Sequence, residues 1–133
     1  MSRNHEKLRV FQVADSLAVH VYRHSACFPA SERFGLQSQL RRAAVSVATN
    51  IVEGCARRSR ADYARFLDIA LGSATETDYL LDLSRRLGAL TSESYEECKT
   101  CANQLLPALQ KTAALSRSHG AVSQPKHLEP EDA

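Results

Sequence analysis

Apolar residues recur at three- and four-residue steps through most of this chain, and no stretch alternates apolar and polar positions as a half-buried strand does. The spacing predicts four helices. In the first, from about Leu8 to Phe28, the stripe is Phe11, Ala14, Leu17, Ala18, Val21 and Tyr22. Pro29 and Ser31 end it, and the short loop to Phe34 sends the second helix back antiparallel, from Phe34 to Gly54. Gly54 is placed to take a left-handed C-terminal cap. Ser59 is an N-cap candidate for the third helix, with Asp62 in its first turn. That helix runs to about Leu87 with the stripe Tyr63, Phe66, Ala70, Ser73, Thr77, Leu80, Ser84 and Leu87, and Gly88 ends it. Thr91 or Ser92 caps the fourth, whose stripe is Tyr95, Cys98, Ala102, Leu105, Leu106, Leu109 and Ala113. Pro107 lies inside this helix and is expected to bend it or remove a backbone hydrogen bond. Residues 1–7 read as a flexible lead-in, 8–118 as one bundle domain, and the polar, proline-bearing 119–133 as a disordered tail.

The second helix is apolar on two sides. Leu36, Leu40, Ala43, Ala44, Val47 and Ile51 make an ordinary core stripe at about 100° per residue. Val45, Ala48 and Val52 form another beside it, following Arg41, and leave only the narrow polar strip of Gln39, Arg42, Ser46, Asn50 and Glu53. A helix of this kind is either central in a large fold or shared between its own core and a partner subunit, and the short chain favours the second. The middle of the third helix, Ala70, Gly72, Ser73 and Ala74, is made of small residues. A mid-helix Gly costs about 1 kcal/mol against Ala. Gly72 therefore predicts a close approach by another helix, within the bundle or across a subunit boundary. Together these features give an all-α, antiparallel up-down four-helix bundle that self-associates.

Length and composition narrow the class. A chain of 133 residues forms one domain and can bury a real core. The formal charge of +2 is mild and decides nothing about nucleic acid. No apolar run is long enough to span a membrane, and MSRNHEKLRV lacks the apolar core of a signal peptide. The expectation is a soluble cytoplasmic protein whose four cysteines are reduced thiols.

The second helix also carries a family likeness. FGLQSQLRRAAVS, then NIVEG, then RRS and ALGS resemble the family encoded in intervening sequences of bacterial 23S rRNA genes, over about Phe11 to Leu115. The resemblance implies a four-helix bundle that assembles as a cyclic homopentamer. It also implies a distant relationship to the accessory proteins of diversity-generating retroelements, basic pentamers that bind nucleic acid and a reverse transcriptase. It attaches no activity. The NIVEG match places Asn50, Glu53 and Gly54 on the family's hallmark. Two positions depart from the pattern: Phe11 stands where the family usually has Trp, and Ala48 where it has Pro.

Four constellations carry candidate chemistry. Arg33, Arg41, Arg42, Arg57, Arg58, Arg60 and Arg65 gather across the second helix, its following loop and the start of the third, with only Glu53 and Asp62 between them as offset. Arginine forks at a loop and helix start suit phosphate, and repetition around a ring would multiply weak binding. The nucleic-acid-binding candidates are Arg42, Arg57, Arg58, Arg60 and Arg65. The plainer reading is a solvated loop with pairs such as Arg58–Asp62. Arg41, Val45, Ala48, Val52 and Gly72 are the candidate oligomer interface. Asn50 and Glu53 lack the second titratable partner of an acid–base pair and read as a hydrogen-bonded helix end or interhelix contact. Cys98-x-x-Cys101, joined by His24 and Cys27 from the same end of the bundle, could converge on a metal, although buried thiols are far commoner. No Glu-x-x-His, glycine-rich phosphate loop or nucleophile motif is present, so neither a catalytic residue, a metal ligand nor a cofactor is assigned. The expected role is a non-enzymatic homo-oligomer that binds RNA, DNA or a nucleic-acid enzyme through its arginines. The alternatives are a purely structural or protein-interaction oligomer and, more weakly, a cysteine-based metal-binding bundle.

Overall fold

A computed structural model describes residues 3–123, with side chains through residue 118. Four helices form it: α1 (Arg9–Ser25), α2 (Leu36–Cys55), α3 (Arg60–Arg86) and α4 (Ser92–Ser123), with single 3-10 turns at His5–Lys7 and Ala30–Glu32. There is no strand among the described residues, and no described helix is long and apolar enough to cross a membrane. Each helix packs on the next, and α4 closes back on α1. Cross-links fix the antiparallel sense. Arg41 near the start of α2 bonds Ser25 at the end of α1, and His24 near the end of α1 bonds Ser94 at the start of α4.

Local chemistry sets the boundaries. The Glu32 carboxylate accepts the Leu36 N–H at 3.0 Å, so α2 starts at Leu36 rather than at Phe34, whose ring stands 90% exposed. Ser59 caps α3 by accepting the Asp62 N–H at 3.0 Å, and Thr91 does the same for α4 with Ser94. Gly88, at φ +78°, ends α3 in a Schellman turn. The Ala89 N–H reaches the Ser84 carbonyl at 2.9 Å, and the Gly88 N–H reaches that of Arg85 at 3.1 Å.

Several expectations are corrected. Gly54 takes no left-handed cap: α2 continues through it to Cys55, and Gly88 is the only described residue with positive φ. Its role is close approach, since a Cβ there would lie 3.0 Å from Phe66 Cβ and 3.4 Å from Tyr63 Cδ1. Gly72 shows the opposite, with nothing within 4 Å of an added Cβ, so no helix of the same chain approaches it closely. Residues 3–7, within the expected flexible lead-in, include a contact to the end of α2 and the start of α3. The Arg3 N–H donates to the Cys55 carbonyl at 2.8 Å, and its guanidinium lies 3.8 Å from the centre of the Tyr63 ring. At the other end, α4 runs five residues past the expected boundary at 118, while 124–133, the rest of the expected tail, lie outside the described residues. Pro107 sits exposed within an unbroken α4, where water can meet the carbonyl it leaves unpaired.

The α2 stripe of Leu36, Leu40, Ala43, Ala44, Val47 and Ile51 is entirely buried, as its spacing predicts. The α1 and α3 stripes are rotated. Val10 and Val13 are buried where Phe11 and Ala18 sit at the margin and Tyr22 is exposed. Leu67, Ala74 and Leu81 are buried where Phe66 and Ser73 are only half-covered, and Leu87 lies open at the helix end. Each helix faces two neighbours, so its buried arc is centred between them rather than on its most obvious apolar line.

A polar network ties α3 to α4. Tyr95 Oη donates to Asp82 at 2.6 Å, and Lys99 Nζ donates to Asp78 at 2.6 Å and to Asp82 at 3.1 Å. The Tyr95 hydroxyl, above all, and Lys99 hold the Asp82 carboxyl below the usual carboxylate range, against the opposing effect of burial. Burial pulls Lys99 down, but its two aspartates outweigh it and raise the amine.

Two outcomes are expected. Gly54→Ala should destabilise the fold by about 1–3 kcal/mol through overpacking on Phe66, read as a lower urea midpoint; an unchanged midpoint would show that the α2–α3 approach relaxes freely. Because Asp82 is depressed in the folded state, its contribution is complete above the ordinary carboxylate pKa and disappears as pH falls through the lower folded value. Asp82→Asn should therefore be less stable than wild type at pH 7, and the gap should close below about pH 4.

Candidate nucleic-acid interface

The site is built on the outer face of α2. With one side of this helix filling the core, the second stripe is left over. Val45 is 40% exposed, and Ala48 and Val52 are half-buried. On α1, Val19 and Tyr22 are exposed as well. Between these elements lies an open groove of about 470 Å³, whose walls include Tyr22, Arg42, Val45, Asn50 and Phe66.

The structure divides the arginines that the sequence grouped. Arg42 lies near the start of α2 and Arg57 just past its end at Cys55, which is about 20 Å from Arg42 along the axis. Arg41, at the first end, belongs to the chain's own framework. Its Nε donates to Ser25 Oγ at 2.7 Å, its Nη2 donates to the Tyr22 carbonyl at 3.0 Å, and its guanidinium lies 4.5 Å from the centre of the Tyr22 ring. Tyr22 and Ser25 are in the last turn of α1, where carbonyls lack helical partners, and Gln37 Nε2 donates to the Ser25 carbonyl at 2.6 Å. All the described bonds of Arg41 lie inside the chain. Arg42 points outward, with no ion pair among the described residues.

At the other end, Phe66 is flanked by two guanidiniums, Arg57 at 4.8 Å and Arg65 at 4.6 Å from its ring centre. Arg57 also pairs with Glu53 at 3.1 Å, and Arg65 approaches Asp62 at 3.8 Å. The expected Arg58–Asp62 pair is not formed, because Asp62 faces Arg65 across one helical turn. Arg58 and Arg60 are exposed and, among the described residues, have no ion pair. Of the five candidate arginines, Arg42, Arg58 and Arg60 are uncommitted, while Arg57 and Arg65 also dress the Phe66 ring.

The hallmark residues have structural work. Asn50 Nδ2 donates to the Ser46 carbonyl at 2.8 Å and to Ser46 Oγ at 3.0 Å, and Ser46 Oγ meets Ser73 Oγ at 2.8 Å across the α2–α3 contact. Glu53 holds Arg57, and Gly54 permits the approach of Phe66.

The cysteines do not converge on a metal. Cys98 and Cys101 are buried, and Cys101 Sγ donates to the Val13 carbonyl at 3.4 Å. Burial, with Cys101 and Glu97 adding to it, pushes the Cys98 thiol up to about 12, far from a ready thiolate. Cys27 is exposed, and Cys55 is buried against Arg3 and Tyr63. His24 does reach the start of α4 as the topology requires, but it meets Ser94 and Glu97 instead of the cysteines. Sequence reading also missed the Asp78–Asp82–Tyr95–Lys99 network. Its signal was present as two i,i+4 pairs of complementary chemistry on helices that must face each other.

Comparison with known proteins agrees with this architecture. A family model described as the 23S rRNA-intervening sequence protein matches residues 6–111. Among solved structures, the chain is similar to a protein of unknown function from the S23 ribosomal protein family of Bacteroides thetaiotaomicron VPI-5482. The TM-score is 0.72 at 28% identity, over 78% of this chain and 97% of that one. No match was found among curated proteins.

Arg41→Lys should cost about 1–2 kcal/mol, because one ammonium cannot reproduce the fork that serves Ser25 and the Tyr22 carbonyl. Arg42→Lys, on the open side of the same turn, should stay within about 0.5 kcal/mol of wild type. Equal urea midpoints for the two variants would remove the fastening role of Arg41.

Proposed function

We propose that this chain, which belongs to the 23S rRNA-intervening sequence protein family, is a non-enzymatic homo-oligomer that holds nucleic acid on its arginines. The observation that carries this reading is the set of exposed arginines without carboxylate partners, Arg42, Arg58 and Arg60, with an apolar α2 face that the chain covers only in part. Phosphate is the ligand these groups suit. Guanidinium forks pair with two oxygens at once, and affinity of this kind needs charge rather than a base-reading motif. The apolar stripe of Val45, Ala48 and Val52, with the open Gly72 on α3, supplies the self-association surface. A cyclic pentamer is the assembly that the family resemblance supports. Such a ring repeats each arginine group around its axis, so that weak phosphate contacts act together. RNA, DNA or a nucleic-acid enzyme such as a reverse transcriptase is the partner class, in the cytoplasm.

A second reading, a structural oligomer without nucleic acid, draws on the arginines already occupied inside the chain: Arg41 on α1, and Arg57 and Arg65 on Phe66. One variant separates the readings, and a second tests the interface they share. Replacing Arg42, Arg58 and Arg60 together with Ala should leave the mass by light scattering unchanged, weaken binding of a labelled RNA at least tenfold and flatten its salt dependence. Lost assembly in a protein whose wild type holds no RNA would favour the structural oligomer. Val45→Asp combined with Val52→Asp should give a folded monomer by circular dichroism and light scattering, and a wild-type mass would remove this stripe from the interface.

A further inference from the structure

Away from the arginine groups, the opposite edge of α1 meets the first turns of α4. His20 and His24 are one helical turn apart on α1, with ring centres 6.0 Å apart and planes inclined by 19°. Glu97 of α4 faces them. His24 Nε2 lies 2.7 Å from Glu97 Oε2, and one ligand atom from each of His20, His24 and Glu97 falls within 4.8 Å of the other two. No other group of three such side chains comes together among the described residues. The second nitrogen of His24 is engaged too, with Nδ1 2.9 Å from Ser94 Oγ.

From this geometry we infer a zinc-type divalent metal site formed by His20, His24 and Glu97, joining the end of α1 to the start of α4. The donor set is right for the ion: two neutral imidazoles and one carboxylate are common zinc ligands, and three protein ligands leave a fourth position open to water. The Ser94 contact completes it. When Ser94 Oγ accepts a hydrogen bond from Nδ1–H, the lone pair of the neutral His24 ring sits on Nε2 and faces a carboxylate oxygen. Two lone pairs at that distance repel unless a proton or a metal ion lies between them, and with a metal there Ser94 sets the tautomer as the outer partner of a metal-bound histidine does. Four-coordinate zinc at its usual bond lengths spaces ligand atoms by about 3.3 Å. The half-buried His20 ring and the exposed Glu97 side chain are the groups that have to turn to bring the set to that spacing. Bound zinc would clip two helices that are far apart in sequence and stabilise the bundle, because the unfolded chain does not bring the three ligands together. The ordinary alternative is a hydrogen-bonded chain in which Ser94 donates to Nδ1 and the Nε2–H donates to Glu97, with His20 a bystander.

The test uses the full chain, freed of any affinity tag and stripped with chelator, then titrated with zinc chloride by calorimetry and by thermal unfolding. Cobalt(II) absorption serves as a direct report on the ligands. One zinc ion per chain, a higher unfolding midpoint and tetrahedral cobalt bands are expected. His20→Gln leaves the His24–Glu97 hydrogen bond in place, so it should retain metal-free stability while weakening zinc at least tenfold. Ser94→Ala should weaken zinc about tenfold through the outer partner alone. Cys27→Ser, at the same end of the bundle, should bind zinc as wild type does. The proposal is overturned if zinc leaves the unfolding midpoint unmoved, if His20→Gln binds it as tightly as wild type, or if Cys27→Ser abolishes it. None of these readouts involves RNA or the arginines, so the outcome is separate from the fate of the phosphate surface.

Discussion

The α2 helix carries apolar side chains on two sides, and its own chain fully buries only one of them. Its Leu36-to-Ile51 line fills the centre of the bundle, and α1 and α3 close against its flanks. Val45, Ala48 and Val52 are left at or near the surface. Everything distinctive about the molecule follows from how the flanks are fixed. On the α1 side, Arg41 and Gln37 take up the last carbonyls of α1. On the α3 side, the bare backbone of Gly54 admits Phe66 and Tyr63, and Ser46 meets Ser73 farther up the same contact. These attachments are polar or backbone-close. They hold α2 in register without consuming its second apolar stripe.

Those attachments also sort the arginines by function. Guanidinium is used in two ways in one small protein: as a framework group that reaches carbonyls and ring faces, and as an open charge at the surface. Arg41 is wholly of the first kind. Arg57 and Arg65 stand between, each close to a carboxylate and to the same ring. Arg42, Arg58 and Arg60 are of the second kind. The family's hallmark follows the same division. Asn50, Glu53 and Gly54 form one turn that secures α2 to α3, holds Arg57 and sets where the arginine-bearing loop leaves the bundle, a structural role at the border of the proposed phosphate surface.

The opposite edge shows how topology creates chemistry that no local pattern announces. His20 and His24 share a helical face, which their spacing makes plain, but Glu97 is more than seventy residues away from either. Only the return of α4 along α1 sets a carboxylate against the imidazoles. The same return buries Cys98 and Cys101, so the pair that looked like a ligand motif becomes core packing, and His24, expected beside it, meets Glu97 and lies with His20 instead.

Periodicity alone determined the helix count, the all-α class, the α2 core stripe and most end signals, among them Ser59 and Gly88. These depend on interactions within a few residues, which a sequence displays directly. The family assignment was legible for the same reason, since its motif lies in one continuous stretch. Tertiary structure decided which arginines are occupied, why Gly54 is glycine, where the α1 and α3 stripes are centred and which titratable groups meet. Each of those outcomes depends on the rotation of one helix against another. That rotation is set by the summed packing of two neighbours at once, and no single helix records it in its own spacing.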